Sequence, residues 1–581
     1  MDIIIAEKPR VAMKIASAIG KSEKIIYNKK VAYYKINNTL VLPSVGHIFS
    51  LSTNDKSYPT FNIEWKRLDD IDKKYQYVKP YIDNFIDKKD EAERIIVATD
   101  FDNEGSLIGY NIARFIFPSL EIKRMKFSAL TKNDLKKAYE NLMDFDYGNA
   151  IAGETRHIVD WFYGINISRA LMASLKTAGK YKVLSIGRVQ GPTLALAVSR
   201  ENEIENFKPE IFYILKIKAK NTEFLYEKKV KEKEIAEKIF QEIGEDALVE
   251  KVEKQEVKIK QPYPFDLTTL QIDAYKIFRI SPSKTLQIAQ ILYENSLISY
   301  PRTSSQQLPP SINYRAILKM LSDHEKDYSI FSEKLLNEEK LFPAQGKKTD
   351  PAHPAIYPTG QKPEDIKEEE RKIYELIVKR FIATFMKPAI KVETKVKLNA
   401  KGYSFFAEGL KIKESNWLLV LKGLYEIKEK EIADFYEGEV VKIQKKEIKK
   451  EKTKPPSRYN EASLVKEMEK RSLGTKATRA VIVSTLFLRS YFYKEKNGIH
   501  VSDLGKAVYK TLATYVPEIL SESLTREMEK DLEEIAVDIS KQKEVLEKAK
   551  KIVKNVCDLF KEKEEEIGKS FFEALEKMRN K

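Results

Sequence analysis

The chain has 581 residues, too many for one hydrophobic core, and at roughly 150 residues per domain its length predicts about four domains. Its 103 Lys and Arg exceed its 87 Asp and Glu to leave a formal charge of +16, a surplus that suits a polyanionic partner such as nucleic acid. A single cysteine, Cys557, excludes an intrachain disulfide and a multi-cysteine zinc site, and no apolar run reaches the roughly 20 residues of a bilayer span, so a cytoplasmic protein is expected.

The opening MDIIIAEKPR lacks the apolar core and cleavage site of a signal peptide. It reads instead as a buried strand over residues 3–6 followed by a proline-started helix over 9–19. A second buried strand over 95–99 runs into an acidic turn and a helical stretch over 107–115, which is α/β patterning. Residues 154–205 read as helical, with Arg156, Arg169, Arg188 and Gln190 set among small residues. Alternation of apolar and polar residues near 212–225 and 390–405 predicts strands. Between them lies a largely helical insertion over 268–386 with proline-rich turns at 308–311 and 351–358, the pattern of one domain threaded into another. A Lys/Glu run over 442–454, closed by Pro455-Pro456, reads as a linker or solvated strand, and the charged stretch after Glu522 reads as packing helix. Charged residues reach 33%, against about 25% in ordinary domains, a composition that suits work at high temperature.

Chemistry concentrates in a few places. Ala98-Thr99-Asp100-Phe101-Asp102-Asn103-Glu104-Gly105 puts three carboxylates at alternate positions at the end of a buried strand, where extended chain would project them to one side. Their mutual repulsion and hard oxygens suit Mg²⁺ held beside phosphate. Glu7 and Lys8 end the other buried strand and add a fourth carboxylate and a cation. In Ser299-Tyr300-Pro301-Arg302-Thr303 a phenol lies two residues from a guanidinium. A phenol titrating near 10 is a poor nucleophile at neutral pH, and Arg302 can stabilise the phenolate or hold a phosphate oxygen. His353, in a proline-fixed turn, can donate to a phosphate. The segments around Arg188 and Gln190, Arg458, and Thr475-Lys476-Ala477-Thr478 supply the amides, hydroxyls and cations that hold a sugar-phosphate chain. Gly20-Lys21-Ser22 is no P-loop, because Ile15 occupies the first glycine position, and a reaction without ATP is expected.

In this order the motifs resemble the type IA DNA topoisomerases, most closely their archaeal topoisomerase III-like branch. The resemblance rests on Glu7, the Asp100–Asp102–Glu104 element, Gly187-Arg188-Val189-Gln190-Gly191-Pro192-Thr193, the approach to Tyr300, and the His353 turn. Asn103 and Ser106 replace the Arg and the second acid found in many members, and Ser304 replaces an Asp after the tyrosine motif. The resemblance implies a multidomain α/β and α+β padlock: a Toprim domain over 1–152, a helical DNA-groove domain combining 153–208 with 451–581, a β arch combining 209–262 with 390–450, and a helical domain over 263–389 carrying the tyrosine. It further implies a monomer that acts on single-stranded and negatively supercoiled DNA. Tyr300 cuts, Arg302, Glu7, Lys8 and His353 assist, and Mg²⁺ sits on Asp100, Asp102, Glu104 and Glu7. The segments around Arg156, Arg169, Arg188, Gln190, Arg458, Thr475, Lys476 and Thr478 bind the strand, and a helicase or single-strand binding protein is the kind of partner the resemblance implies. The rival readings are a Toprim primase or nuclease and a non-enzymatic single-strand binding protein, which differ in their products.

Overall fold

The computed structural model describes residues 1–324 and 326–579. The first unit is a seven-stranded sheet in the order Glu23–Tyr27, Val31–Ile36, Thr39–Pro43, Asp2–Ala6, Arg94–Ala98, Glu121–Arg124, Met143–Asp144. The central strand Asp2–Ala6 pairs in parallel with both neighbours, and Ile3, Ile4, Ile5 and Ala6 are fully buried. Such strands are covered on both faces, which explains a continuous apolar run in place of alternation. Because Ala6 lies opposite Ala98, Glu7 and Asp100 leave the sheet at the same edge.

The helix after the second strand spans Asn103–Ile116, so it begins four residues before the stretch the sequence suggested. Asp102 is its N-cap, accepting from the Gly105 amide at 2.8 Å. Gly105 is required here, since a Cβ at this position would lie 2.1 Å from the Asp100 carbonyl oxygen. The 31-residue helix Tyr147–Thr177 and the helix Gln190–Glu205 follow.

A second seven-stranded sheet carries the strands Asp246–Ile259 and Ala389–Ala400 side by side and antiparallel. The helical insertion leaves the sheet from the first of these and returns through the second, so it hangs from one pair of adjacent strands. Its helices are Leu267–Phe278, Pro282–Glu294, Tyr314–Ser322, Ser329–Leu336 and Glu368–Phe385. The Lys/Glu run forms the edge strand Lys445–Lys452, paired with Ile211–Ala219, and its lysines guard an otherwise open sheet edge. The chain closes with the helices Glu461–Lys470, Arg479–Leu488, Asp503–Tyr515, Glu522–Ile535, Gln542–Glu562 and Glu564–Arg579. No helix among the described residues is long and apolar enough to cross a membrane.

One apolar cluster joins the first unit to the insertion: Ile4, Val11 and Ile15 share it with Leu297, Ile298, Tyr300 and Phe381. The insertion is thereby seated on the strand ends where Glu7 and Asp100 emerge.

Candidate active site

The acids come together because two parallel strands end in register. Glu7 accepts a hydrogen bond from the Asp100 amide at 3.3 Å. Burial, then repulsion from Asp102, pushes the Glu7 carboxyl up. Asp100 is raised well above its ordinary range by burial and by the charges of Glu7 and Asp102. Carboxylates perturbed this way take up protons more readily than exposed ones, and a cation among them would oppose that shift.

Tyr300 reaches this cluster from 198 positions away in sequence: its hydroxyl donates to Asp102 Oδ2 at 2.6 Å. Its backbone amide donates to the Ser128 carbonyl at 2.8 Å, and its ring packs on Tyr293 and His353 with centroids 5.2 and 4.4 Å away. Only 1% of Tyr300 is exposed. Burial, then the charges of Asp102 and Asp100, drives its hydroxyl well above its ordinary value. Arg302 lies 4.0 Å from Asp102 Oδ2 and keeps a buried Nε without a hydrogen-bond partner among the described residues. Burial works against its charge, but Tyr300, Asp102, Glu7 and Asp100 outweigh that and hold it ionised.

His353 donates from Nε2 to the Phe101 carbonyl at 3.0 Å, since a carbonyl can only accept. Its Nδ1 therefore accepts from the Ser128 hydroxyl at 3.0 Å. Burial lowers its titration to about 4, so the ring is neutral and already engaged on both nitrogens. Lys8 pairs with Glu294 at 2.6 Å.

Glu104 departs from the expectation that all three acids project to one side. Asp102 is extended but Asn103 starts a helix, so Glu104 turns away in the first turn. Its Oε2 meets His47 Nε2 at 2.9 Å and His157 Nε2 at 3.0 Å. Burial alone would raise this carboxyl, but hydrogen bonds from His157 and His47 hold it far below its ordinary range.

Two participants escaped the sequence reading. Tyr293 donates to Asp100 Oδ1 at 3.2 Å. Arg124, fully buried, donates to the Asp100 carbonyl at 2.6 Å, to the Val97 carbonyl at 3.0 Å and to Thr99 Oγ1 at 3.1 Å, placing a cation beneath the acids. Burial lowers its titration to about 10 against the pull of those acids, which leaves it charged at neutral pH. An Arg in an otherwise unremarkable strand carries no local signal of such a role.

Residues 144–547 match the family described as DNA topoisomerase, and residues 2–130 match the Toprim domain. The chain belongs to the type IA DNA topoisomerases. It is 43% identical to DNA topoisomerase 1 of Pyrococcus horikoshii, over 98% of this chain and 85% of that protein. It is 40% identical to DNA topoisomerase 1 of Methanocaldococcus jannaschii, over 97% of this chain and 75% of that one. Full-length topoisomerase I of Thermotoga maritima superposes with a TM-score of 0.77 at 29% identity, covering 96% of this chain and 90% of that one, and with it the multidomain toroidal fold.

The topoisomerase keeps most of its candidate strand-binding arginines in ion pairs. Arg188 is held by Asp160 at 3.1 Å and Glu529 at 2.8 Å, and Arg156 by the same Glu529 at 2.8 Å. Arg458 makes a two-pronged pair with Glu201 at 3.0 and 2.9 Å. Arg169 donates to the carbonyls of Asp55 and Ser57. Lys476 pairs with Asp350, while Thr475 and Thr478 bond to each other at 3.1 Å. Gln190 opens its helix with a buried Oε1 that has no hydrogen-bond partner among the described residues. The acidic partners were invisible in sequence: Glu529 is 373 positions from Arg156 and Glu201 is 257 from Arg458.

Proposed function

We propose that Tyr300 is the nucleophile with which this type IA topoisomerase relaxes DNA through transient single-strand cleavage. The observation that carries the proposal is the 2.6 Å contact between a hydroxyl of the inserted helical unit and Asp102 of the Toprim acid cluster. Tyr300 Oη bonds to phosphorus and the bond from phosphorus to O3′ breaks, leaving a 5′-phosphotyrosine and a 3′-hydroxyl. The phenolic proton passes to Asp102, its existing acceptor. Glu7, whose carboxyl is pushed up, supplies the proton that O3′ gains, and Lys8 steadies that oxygen. Arg302, charged and with a free Nε, neutralises the phosphoryl oxygens. His353 positions the tyrosine ring as a neutral donor.

The clustered hard oxygens of Asp100, Asp102 and Glu7 fit Mg²⁺, with Glu104 able to join only by leaving its histidines. When bound there, the ion would supply positive charge beside the scissile phosphate and the 3′ oxygen. Because the covalent intermediate keeps the phosphodiester energy, no ATP is needed. DNA reaches the buried Tyr300 only when the inserted unit lifts from Toprim. The division into Toprim over 1–152, groove domain, arch and tyrosine domain over 263–389 supplies that motion, since the insertion hangs from two adjacent arch strands. A single strand then lies along the segments of Arg188, Arg458 and Lys476, phosphates displacing Glu529, Glu201 and Asp350 from their cations. The enzyme acts as a cytoplasmic monomer.

Negatively supercoiled plasmid tests this reading, incubated with and without Mg²⁺ and without ATP across temperature. Relaxed topoisomers with intact strands are expected. Permanent nicks, primers or unchanged supercoiling would overturn it.

A further inference from the structure

The strongest feature outside the nucleophile cluster is the meeting of His47, Glu104 and His157. Their ligand atoms all lie within 4.8 Å of one another, and both imidazole Nε2 atoms converge on a single carboxylate oxygen at 2.9 and 3.0 Å. We propose that these three side chains form a separate site for a borderline divalent cation of the zinc and cobalt class, which pins the Toprim domain to the long helix Tyr147–Thr177. The site does not depend on the nucleophile assignment.

The chemistry of the donors argues for that class of ion. Two imidazoles and one carboxylate are nitrogen-rich ligands that favour Zn²⁺ or Co²⁺, whereas Mg²⁺ prefers oxygen alone and surrenders its waters reluctantly. The nitrogen-to-oxygen separations are close to the spacing between adjacent ligands on one ion, about 3.0 to 3.4 Å for bonds near 2.0 to 2.1 Å. Without an ion, two N–H groups crowd one oxygen. A cation in their place would be shared by all three ligand atoms.

Each ligand is held by a different rigid element. His47 follows a turn at Gly46, whose φ is +86° and whose amide is tied to the Glu7 carbonyl at 3.1 Å. Glu104 lies in the first turn of Asn103–Ile116, and His157 lies in the middle of the long helix, its ring 6.0 Å from that of Trp65. Trp65 is in turn fixed to Glu154 at 3.0 Å. The ligand side chains keep 26 to 37% exposure, so an ion has an entry path and open positions for water. Three protein ligands with open positions make an exchangeable site, unlike a closed structural one.

The test uses the full-length protein, stripped of metal, and Co²⁺ as the probe in a large excess of Mg²⁺. A single Co²⁺ per chain is expected by calorimetry, with a visible d–d band and two paramagnetically shifted imidazole N–H signals. His47→Asn and His157→Gln should each weaken binding about tenfold or more. His500→Gln, which alters another histidine beside carboxylates (Glu201 and Glu495), should leave it unchanged, as should Asp100→Asn. Displacement of Co²⁺ by Mg²⁺, absence of shifted imidazole signals in the wild type, or binding indifferent to both histidine changes would overturn the proposal. The wild-type spectra decide the question even if a variant fails to fold.

Discussion

His353 offers a test of how the inserted helical unit is held against the Toprim domain. It belongs to the insertion, yet both ring nitrogens bond to Toprim groups, the Phe101 carbonyl and the Ser128 hydroxyl. Burial drops its titration from 6.5 to about 4, because the dry site disfavours the charged imidazolium more than Asp350 and Asp102 favour it. When the domain lifts, the ring regains water and its ordinary value. The closed state is therefore favoured fully above pH 6.5, and the preference is lost as pH falls from 6.5 towards 4. At about 1.4 kcal/mol per pH unit this is worth about 3 kcal/mol, or roughly two orders of magnitude in the open-to-closed ratio. Glu7 and Asp100 act with the opposite sign, since carboxyls raised in the closed state favour closure on acidification. The comparison with His353→Gln removes their contribution, because glutamine keeps one donor and one acceptor but does not titrate. Hydrogen exchange at the Tyr300 amide reports opening directly, since that amide donates across the interface to Ser128. Measured at matched pH, wild-type exchange should accelerate relative to the variant as pH drops below 6.5. The same pH dependence in both proteins would refute the argument.

Three further outcomes are expected. Tyr300→Phe should abolish the covalent protein–DNA adduct while changing single-strand affinity by less than about threefold, or about 0.6 kcal/mol, because the buried hydroxyl faces Asp102; an adduct on a denaturing gel would reject the nucleophile. Asp102→Asn should weaken plasmid relaxation more than DNA binding, since asparagine caps the helix as well as aspartate does; unchanged relaxation at low Mg²⁺ would count against the metal role. Glu529→Ala strands Arg156 as a buried cation, leaves Arg188 with Asp160 alone, and should cost about 3 to 5 kcal/mol in denaturant unfolding of the protein, whereas a loss near zero would show that the triad is not a buried ion network.

The sequence by itself determined the strands that carry Glu7 and Asp100, because fully apolar runs such as Ile3-Ile4-Ile5 have few alternatives to a buried parallel strand. It also determined the inserted helical unit, whose periodicity lies between two alternating β segments, and the ordered motifs that mark the family. Those signals are local: each is written in residues a few positions apart. What only the tertiary structure decided are the encounters between distant segments. The Tyr300 hydroxyl on Asp102, Arg124 beneath Asp100, and the acids that neutralise Arg156, Arg188 and Arg458 all depend on which surfaces pack together. Glu104 shows the boundary between the two. Its spacing promised a third ligand beside Asp100 and Asp102, but a helix that starts one residue earlier turned its carboxylate to two histidines whose positions no local pattern could give.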